Sequence, residues 1–327
     1  MLILNRHDVA GLLTLEECIA AVEEAFKLHA ERKVKSPKLL GLHTQNGVFH
    51  IKAGILHSDR TYFAAKINSN FQHNMSKQRL PVIQGVIVVC DGDNGEVLAI
   101  MDSIEITILR TGAATAVAAK YLAIADAGTA TICGCGNQGR VTVKALMQVR
   151  PVKNVYAFDI DKSIAEKFAD ELTHELNIPV SAVNDLESAV RMSSICVTCT
   201  PSNQPFLKPN NVSAGTFIAA VGADSEAKQE LEPGLLSANK LVTDITGQCA
   251  NIGELHHALD RRFMTIADVY AELGEIIAGK KPGRTSDAEV IIFDSTGTAL
   301  QDVAAASIVY QKALKKNIGN KMDFSIR

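Results

Sequence analysis

The chain has 327 residues, which is about the length of two ordinary domains. Hydrophobic residues make up 47% and charged residues 21%, and this composition excludes a disordered or low-complexity protein. The 33 Lys and Arg residues against 36 Asp and Glu residues leave a net charge of −3, so the basic surfaces that bind nucleic acid or anionic membranes are not expected. We expect a soluble globular protein.

The seven cysteines lie mostly in apolar runs, which predicts reduced thiols in the core and a cytoplasmic location. Cys196 and Cys199 form a C-x-x-C pattern within an apolar strand, where residues three apart point to opposite faces and do not readily share a metal. The adjacent His256 and His257 lack a third ligand at suitable spacing. The sequence therefore predicts no metal site.

The first 125 residues predict a mixed region of helices and strands. Leu15, Cys18, Val22 and Phe26 recur at helical spacing after Thr14, a residue type that caps helices. Four strand-like runs follow, and a turn over residues 91–96 predicts that the last two form a hairpin. These runs cover residues 48–55, 62–68, 84–90 and 97–101, and a second helix is predicted over 104–122.

From residue 129 onwards, short apolar strands alternate with helical segments, which is typical of a parallel sheet. Strands are predicted at 129–133, 155–158, 195–200, 217–221 and 240–242, with another around Val180, and helices at 138–149 and 164–176. The final helix, over residues 299–315, has an apolar stripe that we expect to pack on the N-terminal region.

A glycine-rich loop follows the first of these strands and opens a helix. Its residues, Gly134-Cys135-Gly136-Asn137-Gln138-Gly139, match the G-x-G-x-x-G fingerprint of dinucleotide-binding proteins. The three glycines allow a tight turn, a close approach of backbone to pyrophosphate and close packing of helix on strand. A pyrophosphate would then meet the helix N-terminus, where unpaired N–H groups favour an anion. The alternative is a glycine-rich turn that binds nothing.

Asp159 ends the next strand, twenty residues after Gly139, where the fingerprint has a carboxylate that binds ribose hydroxyls. Such a carboxylate repels a 2′-phosphate, so NAD is favoured over NADP as the cofactor. Two alternatives stay open. Asp159 could serve only to initiate a turn together with Asp161, and Arg140 in the same loop could accommodate the phosphate of NADP.

Six motifs, taken in order along the chain, resemble those of the ornithine cyclodeaminase/mu-crystallin family, and within it those of the archaeal-type alanine dehydrogenases. The glycine loop is one of them, and the others run from residue 110 to residue 304. They are Arg110-Thr111-Gly112-Ala113-Ala114, Thr198-Cys199-Thr200-Pro201-Ser202, Val221-Gly222-Ala223-Asp224 with Lys228-Gln229-Glu230-Leu231, Gly274-Glu275-Ile276-Ile277-Ala278-Gly279, and Ile292-Phe293-Asp294-Ser295-Thr296-Gly297 leading into Gln301-Asp302-Val303-Ala304.

The resemblance implies an α/β fold, with a doubly wound parallel sheet of the Rossmann type inserted into a second, α+β domain for substrate binding and dimerisation. We accordingly expect residues 1–122 to form the first part of the substrate domain and residues 123–298 to form the NAD-binding domain. Residues 299–327 would return as a helix to the substrate domain, and the protein would be a homodimer.

The resemblance also implies the site residues. Lys66 matches the family's catalytic lysine, which binds the substrate carboxylate and assists proton transfer, and Asp224 matches the catalytic carboxylate beside the substrate nitrogen. Arg110 matches an arginine that binds the substrate carboxylate. Arg provides a bidentate fork for a carboxylate, and a fixed carboxylate stabilises the cation formed at the substrate nitrogen. The implied cofactor-binding residues, together with Asp159 and the glycines of the loop, are Thr111, Gly134, Gly136, Asn137, Gln138, Gly139, Thr198, Thr200, Pro201, Val221, Gly222 and Ser295.

One segment departs from the family pattern. Relatives carry an arginine at the position of His50, and this chain has Phe49-His50-Ile51-Lys52 there. Lys52 lies two residues on and therefore on the same strand face, where it could supply the missing cation. We therefore include both His50 and Lys52 among the expected substrate-binding residues.

These observations predict an NAD-dependent oxidoreductase that reduces a small α-imino acid or cyclic ketimine, or runs in reverse as an amino-acid dehydrogenase. Two alternatives remain. An ornithine cyclodeaminase would recycle NAD without net redox change and would need a carboxylate for the distal amine, for which Asp59 is a candidate. A ligand-binding protein of the mu-crystallin type would bind NAD(P)H without turnover.

Overall fold

The computed structural model describes residues 1–34, 38–57, 60–74 and 78–323. Packing divides the chain into two compact units, of which unit 1 comprises Met1–Arg110 and Thr298–Arg327, and unit 2 comprises Thr111–Gly297. Unit 2 is thus inserted into the sequence of unit 1. The first boundary falls within the helix over residues 104–122, whereas the sequence placed it at the end of this helix.

The described part of unit 1 contains a sheet of seven strands in the order β15-β1-β6-β5-β4-β3-β2. Strands β2 to β6 follow one another as antiparallel neighbours, and β1 runs parallel to β6. The strands are β1 (Leu2–Leu4), β2 (Lys38–His43), β3 (Val48–His57), β4 (Thr61–Asn70), β5 (Ile83–Asp91), β6 (Val97–Asp102) and β15 (Asn320–Lys321).

The helices of unit 1 are α1 (Arg6–Ala10), α2 (Leu15–Ala30), the first part of α3 (Ile104–Leu122) and α11 (Ala299–Lys316). Thr14 caps α2 as predicted: its hydroxyl accepts the Glu17 N–H, while the Glu17 carboxylate accepts the Thr14 N–H. Helix α11 packs against α2 and across β3, β4 and β5.

Side chains of β3, β4 and β5 alternate between two faces of the sheet. One face is buried beneath α11: Gly54 lies close to Ala299, and Tyr62 accepts a hydrogen bond from Gln311. The opposite face carries apolar side chains that remain between 37% and 51% exposed, and we call it the open sheet face: Leu40, Leu42, Phe49, Ile67 and Val86.

Unit 2 is built on a sheet of eight parallel strands in the order β13-β12-β14-β11-β10-β7-β8-β9. The chain enters in the middle, at β7, and the strand order reverses there. The strands are β7 (Thr129–Cys133), β8 (Asn154–Phe158), β9 (Val180–Ala182), β10 (Ile195–Thr198), β11 (Phe217–Ala220), β12 (Lys240–Thr243), β13 (Ala271–Glu272) and β14 (Ile291–Asp294).

Helices connect these strands, which is the doubly wound arrangement. They are α4 (Asn137–Val149), α5 (Lys162–Leu176), α6 (Leu186–Arg191), α7 (Pro233–Ser237), α8 (Thr246–Ile252), α9 (Glu254–Asp260) and α10 (Leu273–Ile277), with 3-10 turns at Pro209–Asn211 and Ile266–Asp268. Among the described residues, no helix is both long and apolar enough to cross a bilayer.

The predicted fold class is confirmed, and so are its long elements. Helix α3 begins and ends where the sequence placed it, and the hairpin of β5 and β6 turns through Asp91, whose carboxylate accepts the N–H groups of Asp93 and Asn94. The sequence did not predict strands β1, β2, β13, β14 and β15, which have between two and six residues each. Of these, β14 lies inside the parallel sheet, between β11 and β12.

Candidate active site

The glycine loop of unit 2 connects β7 to α4, and its backbone has the shape that the fingerprint requires. Gly134 has φ +104°, and a Cβ there would lie 2.8 Å from the Cys199 carbonyl oxygen. A Cβ at Gly139 would collide with the Gly134 carbonyl oxygen, so the third glycine lets the helix close on the strand. Gly136 faces open space. The loop therefore offers backbone at a surface that a ligand can approach.

The N-terminus of α4 fits a pyrophosphate. Its N-cap residue is Gly136, and no side chain caps the helix. The first-turn N–H groups thus keep the positive end of the helix dipole available for an anion. The buried Oε1 of Gln138 has no hydrogen-bond partner among the described residues. These features match the phosphate-binding end of a dinucleotide site.

Asp159 lies directly after β8 and beside the glycine loop. Its Oδ2 accepts the Cys135 N–H at 2.9 Å, and its Oδ1 accepts the Asp161 N–H at 3.0 Å. Asp161 itself caps α5 by accepting the Ser163 N–H. Asp159 therefore stands where ribose hydroxyls are expected, and its two backbone contacts fix its orientation.

Arg140, which could bind the 2′-phosphate of NADP, already contacts two other side chains of unit 2. Its guanidinium forms an ion pair with Glu171 and lies over the Phe168 ring, 5.4 Å from the ring centroid. A 2′-phosphate would have to compete with the Glu171 carboxylate for this cation. The geometry therefore favours NAD at the Asp159 end of the site.

The other expected cofactor residues of unit 2 follow neighbouring strands and so lie at the same edge of the sheet. Thr198 ends β10, and Thr200 and Pro201 follow it. Val221 and Gly222 follow β11, and Ser295 follows β14. Thr111 is the exception: it is buried in α3, where Gly112 packs against Val141 of α4. In a doubly wound sheet, ligands bind outside the carboxyl ends of the strands where the order reverses.

Asp224 lies in the loop after β11 and is partly exposed. Its Oδ1 accepts a hydrogen bond from the Lys228 ammonium group at 2.6 Å. Burial lowers the pKa of Lys228, but the Asp224 carboxylate outweighs that effect and the net direction is upward. Lys228 therefore keeps its positive charge at neutral pH and contacts the Asp224 carboxyl group.

The two adjacent histidines and the C-x-x-C cysteines have structural contacts. His257 contacts the Lys228 carbonyl oxygen at 2.8 Å, and its ring packs edge-on against that of His256. Cys199 donates its thiol hydrogen to the carbonyl oxygens of Cys133 and Gly134, and burial raises its pKa well above the ordinary value. Within the described ranges, no three His, Cys, Asp or Glu side chains group as metal ligands do.

Unit 1 contains a cluster of buried charged side chains on the face of the sheet beneath α11. Lys52 of β3 and Lys66 of β4 are direct cross-strand neighbours. The Lys66 ammonium lies 2.7 Å from Oδ1 of Asp302 in α11, and Arg110 Nε lies 3.3 Å from the same oxygen. Arg110 also donates to Gln301 Oε1 at 3.0 Å. We call Lys52, Lys66, Arg110 and Asp302 the buried charge cluster.

The electrostatics of this cluster centre on Lys66, whose side chain is only 3% exposed. Burial lowers the pKa of Lys66 to about 7, because removing an ammonium group from water disfavours its charged form. The Asp302 carboxylate opposes this shift, while the charges of Arg110 and Lys52 add to it. Lys66 is therefore poised to gain or lose a proton near neutral pH.

His50 lies on the same face of β3 as Lys52, as the sequence predicted, and it pairs across the sheet with Asn68. Lys52 is 6% exposed, while His50 is only half-buried. The cation nearest to Lys66 on β3 is thus Lys52. Asp59, the carboxylate considered for the cyclodeaminase alternative, lies outside the described residues.

Sequence reasoning quoted Gln301, Asp302 and Glu230 within family motifs but assigned them no role. All three are buried, and each contacts an expected site residue: Gln301 contacts Arg110, Asp302 contacts Lys66, and Glu230 contacts Thr198. A signal for Asp302 was present, since it is a charged residue next to the apolar stripe of the final helix, where a buried charge needs a partner.

Proteins of known activity share this architecture. The chain is 38% identical over 323 residues to the alanine dehydrogenase of Archaeoglobus fulgidus, and the match covers 99% of this chain and 98% of that protein. The solved structure of an archaeal alanine dehydrogenase dimer with bound NAD has a TM-score of 0.95 at 38% identity, covering 99% of both chains.

A second solved structure is the Δ1-pyrroline-2-carboxylate reductase of Thermococcus litoralis in complex with NADH and L-proline. It has a TM-score of 0.93 at 32% identity and covers 98% of this chain and 100% of its own. The sequence model of the ornithine cyclodeaminase/mu-crystallin family matches residues 1–317. The resemblance seen in the motifs is thereby confirmed, and the chain belongs to the ornithine cyclodeaminase/mu-crystallin family.

Proposed function

We propose that this protein is an NAD-dependent oxidoreductase that acts on the C–N bond of a small α-amino or α-imino acid. The observation that carries the proposal is the buried charge cluster of unit 1, in which Lys66 and Arg110 both contact Oδ1 of Asp302 and Lys52 is the cross-strand neighbour of Lys66. Burying charges is costly unless they are paired, and Lys66 and Arg110 share a single carboxylate oxygen, so this concentration of positive charge favours the binding of an anion. The carboxylate of an amino or imino acid is such an anion.

In this proposal unit 1 is the substrate domain. Arg110 provides a guanidinium, which binds a carboxylate through two parallel hydrogen bonds, and Lys52 and Lys66 add positive charge. Asp302 fixes the Lys66 ammonium group at 2.7 Å and so sets its position on β4. The proximity of the pKa of Lys66 to 7 suits proton transfer to or from the substrate nitrogen near neutral pH.

Unit 2 is then the NAD-binding domain, and the cofactor supplies or accepts a hydride when bound. The glycine loop and the uncapped N-terminus of α4 support the assignment, as do the NAD and NADH bound in the two similar structures. Asp224 presents a carboxylate, which would stabilise the positive charge that develops on the substrate nitrogen. The seven free cysteines support a reducing, cytoplasmic location.

The reaction is tested by following NADH oxidation with pyruvate plus ammonia or amines, with oxaloacetate plus ammonia, and with the cyclic imines of proline and pipecolate. We expect net NADH consumption with one of these substrates and a loss of roughly a hundredfold or more in kcat in Asp224→Asn, which keeps the shape but removes the charge. Ornithine turnover without net NADH consumption would instead indicate a cyclodeaminase, and NADH binding without any turnover a ligand-binding protein.

Cofactor selection is tested at Asp159. Because its carboxylate would repel a 2′-phosphate, we expect NADH to bind more tightly than NADPH by about 1–3 kcal/mol. Asp159→Ala should narrow this difference. Asp170→Ala, at an exposed position within α5 of unit 2, serves as the control and should leave the preference intact. Equal affinities for the two cofactors in the unsubstituted protein would contradict the assignment.

The role of Lys66 is tested by the pH dependence of kcat/KM. Lys66 carries its charge below its pKa of about 7, so binding of the substrate carboxylate should weaken as the pH rises through that value. Asp302→Asn removes the carboxylate that opposes the shift, and the alkaline limb should move to lower pH by roughly 1–3 units. Glu105→Gln removes the partner of Arg6 elsewhere in unit 1 and should leave the limb in place. An unmoved limb in folded Asp302→Asn would refute the role.

We also propose that the protein is a homodimer formed through the open sheet face. Five apolar side chains on neighbouring strands of this face are more than a third exposed, and contiguous apolar surface of this kind marks association sites. The similar archaeal alanine dehydrogenase is itself a dimer. A second copy of the chain would cover these side chains.

Light scattering of two matched variants tests the dimer. Val86→Glu places a charge on the open sheet face and should convert the dimer to a monomer. Ile160→Glu places the same charge on a fully exposed side chain of unit 2 and should leave the mass unchanged. A monomeric unsubstituted protein at micromolar concentration, or a dimeric Val86→Glu, would exclude this interface.

A further inference from the structure

We propose that Glu230 is a positioning residue that fixes the loops after β10 and β11 in the arrangement that binds the dinucleotide. The inference deepens the proposed function, since it takes NAD as the ligand of unit 2. Glu230 is fully buried and follows the loop that carries Asp224. A buried carboxylate is costly unless its oxygens accept hydrogen bonds, so the contacts that it makes indicate what it is there to hold.

Both oxygens of Glu230 are used, and together they join two loops. Oε1 accepts the Thr200 N–H at 2.6 Å and the Thr200 hydroxyl at 2.8 Å. Oε2 accepts the Thr198 hydroxyl at 2.7 Å and the Gly222 N–H at 3.0 Å. One carboxylate therefore ties the end of β10 to the first residues after β11, which are the segments expected to face the cofactor.

The close approach of the Glu230 carboxylate explains why residue 222 is a glycine. A Cβ there would lie 2.5 Å from three atoms of the Glu230 carboxyl group. Any larger residue would push the carboxylate away from the loop. The glycine is thus required by the approach of Glu230, independently of any direct contact with the cofactor.

Glu230 also acts indirectly on the glycine loop, through Cys199. Cys199 lies between Thr198 and Thr200, the two residues that Glu230 holds. Its carbonyl oxygen would lie 2.8 Å from a Cβ at Gly134, and its thiol donates to the Gly134 carbonyl oxygen at 3.2 Å. Fixing Thr198 and Thr200 therefore also fixes the surface against which the tight turn of the glycine loop packs.

Glu230 is itself held in place by its backbone. Its N–H donates to Glu254 Oε1 at 2.7 Å, and the Leu231 N–H donates to Glu254 Oε2 at 3.1 Å. The carbonyl oxygen of Glu230 accepts the N–H groups of Phe206 and Leu207. A side chain on so well fixed a backbone can determine the position of the two loops that it contacts.

These contacts require an acceptor at both ends of the side chain, which a carboxylate provides and an amide does not. A backbone N–H points at each of the two oxygens, and a backbone N–H can only donate. In Glu230→Gln, one end of the side chain becomes an NH₂ group, and either orientation sets that donor against the N–H of Thr200 or of Gly222. Glu230→Asp keeps the charge but shortens the side chain, so that it cannot reach both loops.

The matched control is Glu289→Gln, which lies at the amino-terminal ends of strands in the same sheet. The Glu289 carboxylate also accepts the N–H groups of Thr285 and Ser286 and the Thr285 hydroxyl. It forms an ion pair with Lys240. The substitution thus disrupts the same kind of hydrogen-bond network in unit 2, just before β14 begins. It touches no residue expected to bind the cofactor.

The experiment measures the Kd for NADH by the cofactor's own fluorescence, well below the Tm of each variant, and the Tm in parallel. The chain contains no tryptophan whose emission would interfere. We expect Glu230→Gln and Glu230→Asp to raise the Kd about tenfold or more, as the loss of one or two buried hydrogen bonds would do. Glu289→Gln should lower the Tm but leave the Kd within about twofold.

The outcomes separate the two proposals. If the folded Glu230 variants bind NADH as tightly as the unsubstituted protein, the carboxylate serves stability alone and the positioning role is wrong. The same holds if Glu289→Gln weakens NADH binding equally, since the effect would then follow from general destabilisation. If the unsubstituted protein does not bind NADH, the proposed function is wrong, and so is the inference that depends on it.

Discussion

Carboxylates buried within each unit hold the groups on which the proposed activity depends. A carboxylate removed from water loses several kcal/mol of hydration, and it regains them only through close cations or several hydrogen-bond donors. Asp302 meets this demand in unit 1 at its Oδ1, which contacts Lys66 and Arg110, and Glu230 meets it in unit 2 with four hydrogen bonds. Because an unsatisfied buried charge is so unfavourable, these partners must adopt one arrangement, and the sites become rigid.

Further buried carboxylates extend the arrangement along the carboxyl edge of the parallel sheet. Asp294 ends β14 and accepts the N–H groups of Glu254 and Leu255, and Asp244 accepts the N–H of Gly297. Burial raises the pKa of Asp294 to about 7 and that of Glu254 well above its ordinary value. The edge of the sheet that carries the expected cofactor residues is therefore organised by acidic side chains bonded to backbone N–H groups.

The sequence was sufficient to predict the long elements and the glycine loop because their signals are local. Helix α3 shows its helical composition over 19 residues, and the loop carries glycines where only glycine fits. Strand β14 was not predicted, although it is as long as the predicted strands β10, β11 and β12 and lies inside the sheet. Asp302 and Glu230 were assigned no role because their partners are 236 and 32 residues away, and only the folded chain brings them together.

The insertion of unit 2 into unit 1 determines the order in which the protein can fold during its synthesis. All of unit 2 leaves the ribosome before α11, the helix that covers β3, β4 and β5. Until then, the apolar face of these strands is open and Lys66 has no Asp302 beside it. Unit 2 can complete its core independently, since domains generally fold as units, N-terminal segments first. The first half of unit 1 must therefore wait for α11, and a truncation that removes this helix removes the counter-charge of Lys66 and the cover of the sheet together.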